Sequence, residues 1–374
     1  MKALTDARDS RFELVRIIAM LLIIGNHLST HGIMHVLSND HYRLWMTGSV
    51  VNKIFTSFLS VGGKLGVALF FILTGYFLIN SKKINLKKLF CTTIFYSFVC
   101  FILFAVTGHS PGGLSRIFNI IKSFLLPLTG GSWWFITSYT FLILVHPLIN
   151  DFLNKLSKRQ SLAFLAFFWI FWYAFAQIFK VPFFNLQRAV FFYCIGSFLC
   201  RFNVLNNKRL GLKALLAVVF AAVYTFIAYS RVTFIVTHKS TPANLAVAQI
   251  GEFINSGLLI PVLAVLLMML ICGLEIKTNR VINFVASTTF GIYLLHDSPI
   301  IRPVLWNEIV KADTVLYKMP AFPIVCLIVV LTIFICGLLI DALRQYFFEK
   351  RIFAIYDYTV KKIKGSEVDA AGQQ

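Results

Sequence analysis

Apolar residues occur along this chain in long runs, which are separated by short polar stretches rich in lysine and arginine. A helix needs about 20 mostly apolar residues to cross a lipid bilayer, and most of the runs reach or approach that length. Because backbone groups in lipid must be paired within the protein, the runs predict an all-α polytopic membrane protein with about ten transmembrane helices. The predicted helices cover residues 14–34, 61–80, 86–107, 132–150, 161–179, 187–201, 210–229, 253–274, 281–298 and 322–347.

These boundaries divide the chain into three parts. The parts are an N-terminal tail (1–13), a ten-helix transmembrane domain (14–348) and a C-terminal tail (349–374). The longer connections are predicted on the side opposite to the termini, at about 35–60, 108–131, 230–252 and 299–321. Only 13% of the residues are charged, against about 25% in soluble proteins, so a sizeable water-soluble domain is excluded.

The distribution of basic residues predicts the orientation of the helices. With the N-terminus inside, the short inner segments hold 22 lysines and arginines and the longer outer segments hold 11. This bias follows the positive-inside rule, so we predict that both termini are cytoplasmic and that the protein is multi-pass in the cell membrane. The net charge of +20 then reflects topology and contact with anionic membrane lipids, and we expect no nucleic-acid partner.

Arg16 and His27 are two ionisable residues within the first apolar run. Eleven helical residues return to within about 20° of the starting direction and advance roughly 16 Å, so the two side chains share one face. An ionisable residue in the lipid core costs about 2.5–3.5 kcal/mol on insertion scales, so this face is expected to line the protein interior or a wet cavity. His27 could accept a proton from a hydroxyl nucleophile, or it could simply make an interhelical hydrogen bond.

The basic residues on the inner side suggest a binding site for an anionic cosubstrate. Arg16 could contact such a molecule as it enters from the cytoplasm, although snorkelling to headgroups or pairing with Glu13 also explains it. Lys87 and Lys88 precede the third predicted helix on the same side and would add to a basic mouth suited to phosphate groups. The positive-inside bias accounts for these lysines equally well.

The opposite side carries candidates for binding an acceptor. Trp133 and Trp134 could anchor at the headgroups or stack on a sugar. His296 and Asp297 come at the outer end of the ninth predicted helix. They could form an acid–base pair, but adjacent helical residues do not face each other, so a solvated surface is the alternative.

Histidine spacing also allows a metal hypothesis. His27, His31 and His35 follow one another at four-residue steps, a spacing that can hold a metal on one helical face. Acidic ligands are few in this region, and we expect no metal. A haem or metal protein that uses His27, His296 or His146 is kept as an alternative, as is a local hydrogen bond of His146 at its helix end.

Several segments, taken in order, resemble the acyltransferase 3 family of integral membrane O-acyltransferases. The similar segments are Arg16-x10-His27, Gly66-Val67-x-x-Phe70-Phe71-x-x-Thr74-Gly75-Tyr76, Trp134 through Pro147, Phe192-x-x-x-Gly196 and Phe290-Gly291-Ile292-Tyr293-Leu294-Leu295-His296. The resemblance extends over nearly the whole chain. It departs from the family at Ala68, where relatives often have an acid, and at Lys87 and Lys88, which occupy the region of an Arg-x-x-Arg pair.

The resemblance implies an enzyme that takes an acyl group, usually acetyl, from cytoplasmic acyl-CoA and delivers it to a hydroxyl. The acceptor would be a cell-surface polysaccharide or a lipid-linked glycan. By this resemblance His27 is the catalytic histidine and Arg16 its companion on the CoA side, with Lys87 and Lys88 as further cofactor contacts. Whether His27 is a general base or a transient acyl carrier stays open, and we favour the base.

A transporter or flippase for a glycan or small polar solute is the main alternative to an acyltransferase. In that case Arg16 and His27 would form a coupling or binding pair. The sequence has no recognisable internal repeat, and inverted repeats are common in transporters, so the acyltransferase is preferred.

Overall fold

The computed structural model describes residues 8–34, 43–107, 133–176, 184–205, 209–238 and 241–371, and this part of the chain is helical without a β-strand. A helix lies in each of the ten predicted segments. They are α1 (Ser10–His27), α2 (Val50–Leu78), α3 (Lys87–Thr107), α4 (Trp134–Lys155), α5 (Lys158–Phe167), α6 (Phe184–Arg201), α7 (Leu210–Thr237), α8 (Pro242–Cys272), α9 (Arg280–His296) and α10 (Phe322–Arg344). The chain continues from α10 through a π-helical turn (Gln345–Glu349) directly into α11 (Lys350–Ala371), which occupies most of the C-terminal tail.

Six of the described helices are long and apolar enough to cross a membrane, which makes this a multi-pass membrane protein. They are Ser10–Ile33, Val50–Leu78, Trp134–Lys155, Leu210–Thr237, Pro242–Cys272 and Phe322–Val360. Ten crossings and two cytoplasmic termini stay predictions.

The predicted loop at 35–60 was wrong over its second half, because α2 already begins at Val50. Ser49 caps this helix, since its side chain accepts a hydrogen bond from the backbone N–H of Asn52. The hydroxyls of Thr56 and Ser57 donate to carbonyls one turn earlier. These polar side chains interrupt the apolar pattern, yet their hydrogen bonds are made within the helix, so the helix continues through them.

The predicted loop at 230–252 was also wrong. Helix α7 continues to Thr237, and α8 begins at Pro242, where the side chain of Thr241 accepts from the N–H of Asn244. Proline is favoured in the first helical turn because its missing N–H has no partner there anyway. The predicted loop at 299–321 contains short helical turns at Ile301–Pro303, Val304–Ile309 and Leu316–Lys318, and the loop at 108–131 lies outside the described residues.

Helix α1 lies in the middle of the bundle, where it packs against α2, α8, α9 and α10. Glycines allow its closest approach: a Cβ at Gly62 of α2 would collide with the backbone of Leu22 in α1. Farther along α2, a Cβ at Gly75 would collide with the backbone of Tyr193 in α6. Small residues of this kind permit tight helix packing in membranes. The contacts fix α1, and with it Arg16 and His27, between α2 and α9.

A buried polar network holds α10 against α3 and α9. Asp341 is fully buried and accepts hydrogen bonds from Tyr96 Oη at 2.8 Å, Arg344 Nε at 2.6 Å and Gln345 Nε2 at 2.8 Å. Gln345 also donates to the backbone carbonyl of Ser287 in α9. Because the carboxylate is paired with a guanidinium and two further donors, its burial is compensated. The network thus ties the end of α10 to both α3 and α9.

Candidate functional site

A cavity of about 990 Å³ runs along α1 and is closed by residues of α2, α3, α4, α6 and α9. Arg16 lines it near one end, and His27 and His31 line it near the other. The eleven-residue spacing therefore places both predicted residues on one cavity. We call its two ends the Arg16 end and the His27 end.

The Arg16 end is rich in charge. Arg16 forms an ion pair with Glu13, one turn back, and its guanidinium carbon lies 5.6 Å from the centroid of the Phe77 ring. Arg8 lies 4.0 Å from the other carboxylate oxygen of Glu13. Lys88 lines the cavity at the same end. Three cations (Arg8, Arg16 and Lys88) and two carboxylates (Asp9 and Glu13) line this end, and Asp9 is also paired with Arg11. The lining therefore keeps an excess of positive charge, which favours an anionic ligand.

Lys87 and Lys88 were both predicted as cofactor contacts, but they occupy different surroundings. The ammonium of Lys87 lies 2.6 Å from both carboxylate oxygens of Asp357 in α11 and 4.9 Å from the ring centroid of Phe353. Successive helical residues point about 100° apart, so Lys88 faces the cavity while its neighbour reaches α11. Lys87 therefore ties α3 to α11, and Lys88 is the one placed to meet a ligand.

His27 is joined to His296 of α9 at the other end of the cavity. His27 Nδ1 lies 3.0 Å from His296 Nε2, and His296 Nδ1 lies 2.7 Å from the backbone carbonyl oxygen of Ile292. A carbonyl only accepts, so His296 Nδ1 carries a proton, and the Nε2 of the neutral ring accepts. His27 Nδ1 is then the donor. His27 Nε2 keeps an unprotonated lone pair, which is the condition for a general base.

Asp297 adds a negative charge beside His27. Its carboxylate oxygen lies 3.6 Å from His27 Nδ1 and 2.8 Å from Arg302 Nη2. His296 and Asp297 are both about 97% buried, so the interpretation of these residues as a solvated surface was wrong. Helix α9 ends at His296, and the backbone leaves the helical conformation at Asp297. The two adjacent side chains can therefore both reach His27, which they could not do within a regular helix.

His31 lies next to His27, as the four-residue spacing predicted. Residues Leu28–Ile33 form a π-helix, and the rings of His27 and His31 lie 5.0 Å apart between centroids. Ligand atoms of His27, His31 and Asp297 lie within 4.8 Å of one another. These residue types bind zinc, but His27 and Asp297 already have His296 and Arg302 as partners. The absence of a metal stays a prediction.

His146, another histidine candidate, does not join this group. His146 is fully buried in α4, and its Nδ1 donates to the backbone carbonyl of Ile143 at 2.7 Å. The hydrogen bond is local, as the sequence allowed, but it lies within α4 and not at a helix end, because the helix continues through Pro147 to Lys155. His35 lies outside the described residues.

The two tryptophans also differ. Trp134 lines the cavity, and its ring lies 5.4 Å from the guanidinium carbon of Arg188 in α6. Trp133 is 2% exposed and belongs to the same buried apolar cluster as Ile24 and Tyr293. Trp134 is therefore placed to meet a ligand, and Trp133 is part of the core.

Two further cations, Lys64 and Arg188, line the cavity and were not predicted as site residues. The Lys64 ammonium contacts Glu252 of α8 and lies 2.6 Å from Ser256 Oγ. Arg188 lies at the start of the sixth predicted helix (187–201) and was not predicted as a site residue. The available signal was the position of both charges inside apolar helices, which is costly without a partner or a ligand.

The fold and the site together define a multi-pass membrane protein with a histidine–aspartate group at one end of an internal cavity and basic residues at the other. The sequence profile of the acyltransferase 3 family, described as an acyltransferase domain, matches residues 9–341, so the chain belongs to that family of membrane acyltransferases. The match begins at the cap of α1 and ends within α10, and it includes both ends of the cavity. No curated protein and no solved structure matches the chain.

Proposed function

We propose that this protein is a membrane O-acyltransferase that moves an acyl group, most simply acetyl, from cytoplasmic acyl-CoA to a hydroxyl of a cell-surface or lipid-linked polysaccharide. The observation that carries the proposal is the hydrogen bond of His27 Nδ1 to His296. It leaves His27 Nε2 as an unprotonated base on a cavity that also holds Arg16.

The chemistry follows from this arrangement. As the acceptor oxygen attacks the thioester carbonyl, its proton passes to His27 Nε2. The carbon–sulfur bond breaks, the ester bond forms, and the proton passes from His27 to the thiolate of CoA. During transfer His27 is an imidazolium, and the carboxylate of Asp297 at 3.6 Å from Nδ1 stabilises that charge. The protein needs no other proton donor or acceptor for this sequence.

The Arg16 end fits the cofactor. Arg8, Arg16 and Lys88 offer charge-assisted hydrogen bonds to phosphate oxygens. The cavity wall between Arg16 and His27 includes Met20 and Ile23, an apolar path along which the acyl-bearing arm would extend for roughly 16 Å. In this proposal the Arg16 end opens to the cytoplasm.

Lys88→Gln is expected to raise the KM for acyl-CoA by about tenfold with little change in kcat, because it removes a charge that faces the cavity. Lys87→Gln is the matched control, since the neighbouring lysine contacts Asp357 instead. Both constants are obtained from the rate of ester formation at varied acyl-CoA concentration in proteoliposomes. Equal increases of KM in the two variants would argue against cofactor binding at this end.

The proposed function is tested by comparing surface and lipid-linked glycans from cells with and without the gene. We expect base-labile acyl esters, identified by mass spectrometry, in the cells that contain the protein and their loss in the cells that lack it. Purified protein in liposomes should transfer label from radioactive acetyl-CoA to the same glycans. Movement of glycan across the liposome membrane without consumption of acyl-CoA would instead establish a transporter.

A further inference from the structure

A cationic cluster forms part of the cavity wall, at the His27 end. It consists of Lys64 on α2, Arg188 on α6 and Arg231 on α7, together with Glu252 on α8. Lys64 and Arg231 both form ion pairs with Glu252. Arg188 lies close enough to Lys64 for their charges to interact.

Two members of the cluster reach the cavity near His27. Lys64 and Arg188 both line it. Lys64 follows Gly63, which packs directly against the side chain of Asn26, the residue before His27. Lys64 therefore lies on the part of α2 that packs beside His27, the proposed base, and away from the Arg16 end.

The side chain of Arg188 is held in a fixed position at the cavity wall. The side chain is 92% buried, and its guanidinium lies over the ring of Trp134 at 5.4 Å. This cation–π contact holds the planar guanidinium at the cavity wall. Guanidinium groups bind carboxylates and phosphates through paired hydrogen bonds, whereas neutral hydroxyls do not require a cation.

An anion bound between Lys64 and Arg188 could accept charge-assisted hydrogen bonds from both side chains, since both line the same cavity. Glu252 already contacts both Lys64 and Arg231, and it is not among the residues that line the cavity. Basic side chains that line a cavity within a membrane domain generally mark the path of a substrate. The phosphates of acyl-CoA have their own cations at the Arg16 end.

We infer that the acceptor is anionic and that its oxyanion binds between Arg188 and Lys64. The group is either the carboxylate of an acidic sugar or the phosphate of a lipid-linked carrier. Its binding, with the sugar against Trp134, would place a neighbouring hydroxyl at His27. This inference rests on the proposed acyl transfer and adds the substrate class.

The test uses cells that express the wild-type protein, Arg188→Gln, Arg188→Lys or Arg201→Gln at equal levels in the membrane. Arg201 lies on the same helix at its other end, where it donates to the carbonyl of Leu156, and it serves as the matched control. Acyl esters are located by tandem mass spectrometry in the polymer and in the lipid-extractable fraction. Binding of acetyl-CoA to each purified variant shows that the Arg16 end has folded.

We expect wild-type esters on sugars that bear a carboxylate in the polymer, or on phosphate-linked sugars in the lipid fraction, and the fraction tells the two sources apart. Arg188→Gln should lower the ester content at least tenfold while acetyl-CoA binding is retained. Arg188→Lys should keep part of the activity, and Arg201→Gln should resemble the wild type.

Two results would overturn the inference and leave the proposed function intact. They are esters confined to neutral sugars without a phosphate link, and a wild-type ester content in Arg188→Gln. The absence of any gene-dependent ester in both fractions would instead overturn the proposed function, and the inference with it.

Discussion

His27→Ala is expected to lower the rate of acyl transfer by about 10²–10⁴-fold, the usual contribution of a general base. The acceptor hydroxyl would then have to lose its proton without assistance. The measurement is the formation of labelled ester from radioactive acetyl-CoA in proteoliposomes, with acetyl-CoA binding measured alongside. Binding should be nearly unchanged, because Arg16 and Lys88 lie at the other end of the cavity.

His146→Ala provides the control for this prediction. His146 is a fully buried histidine whose Nδ1 contacts only a backbone carbonyl of its own helix, so it tests the effect of removing a buried imidazole away from the site. Transfer that persists in His27→Ala with the protein present at wild-type levels would refute the assignment. Label covalently retained on the wild-type protein in the absence of acceptor would identify His27 as an acyl carrier instead of a base.

His296→Phe is expected to reduce kcat by about 10²-fold and to leave the KM for acyl-CoA unchanged. Phenylalanine keeps an aromatic ring at the site but removes the atom that accepts the proton of His27 Nδ1 at 3.0 Å. Without that acceptor, His27 is no longer held in the tautomer with a free Nε2, and fewer molecules have a base in the correct state. His296 would thus act through His27 as a positioning residue.

His296→Gln separates this effect from simple loss of packing. The amide oxygen of glutamine can accept a hydrogen bond near the position of Nε2, so it should restore a measurable part of kcat. A purely structural role would make the two variants about equally defective, and it would also change their thermal stability in step with their activity. Equal kcat values in His296→Gln and His296→Phe therefore speak against the tautomer mechanism.

Much of the fold could be predicted because lipid restricts the choice of structure. Apolar runs in a bilayer must be helices, and each of the ten predicted segments contains one. The errors lie at helix ends, where capping decides. Ser49 and Thr241 cap α2 and α8, so these helices begin well before their most apolar residues. A hydropathy pattern does not show such a cap, because one hydroxyl that accepts from a backbone N–H hardly changes the mean hydropathy.

The candidate site was predicted only in part. Arg16 and His27 could be predicted as a pair because both belong to one helix, whose geometry places residues eleven apart on one face. Lys87 and Lys88 show the limit of that reasoning. They look equivalent as neighbours in the sequence, but one contacts Asp357 and the other lines the cavity, and the packing of α11 makes the difference.

The sequence by itself therefore determined the membrane-embedded helical class, the family and the shared face of Arg16 and His27, because these depend on local periodicity and order along the chain. Only the tertiary structure decided what these residues meet. His27 and His296 are 269 positions apart, and Lys64 and Glu252 are 188 apart. Such contacts depend on which helices pack together and in what register. Close packing at glycines such as Gly62, which lies against the backbone of Leu22, helps to set that register. The partner of each glycine cannot be read from the local sequence.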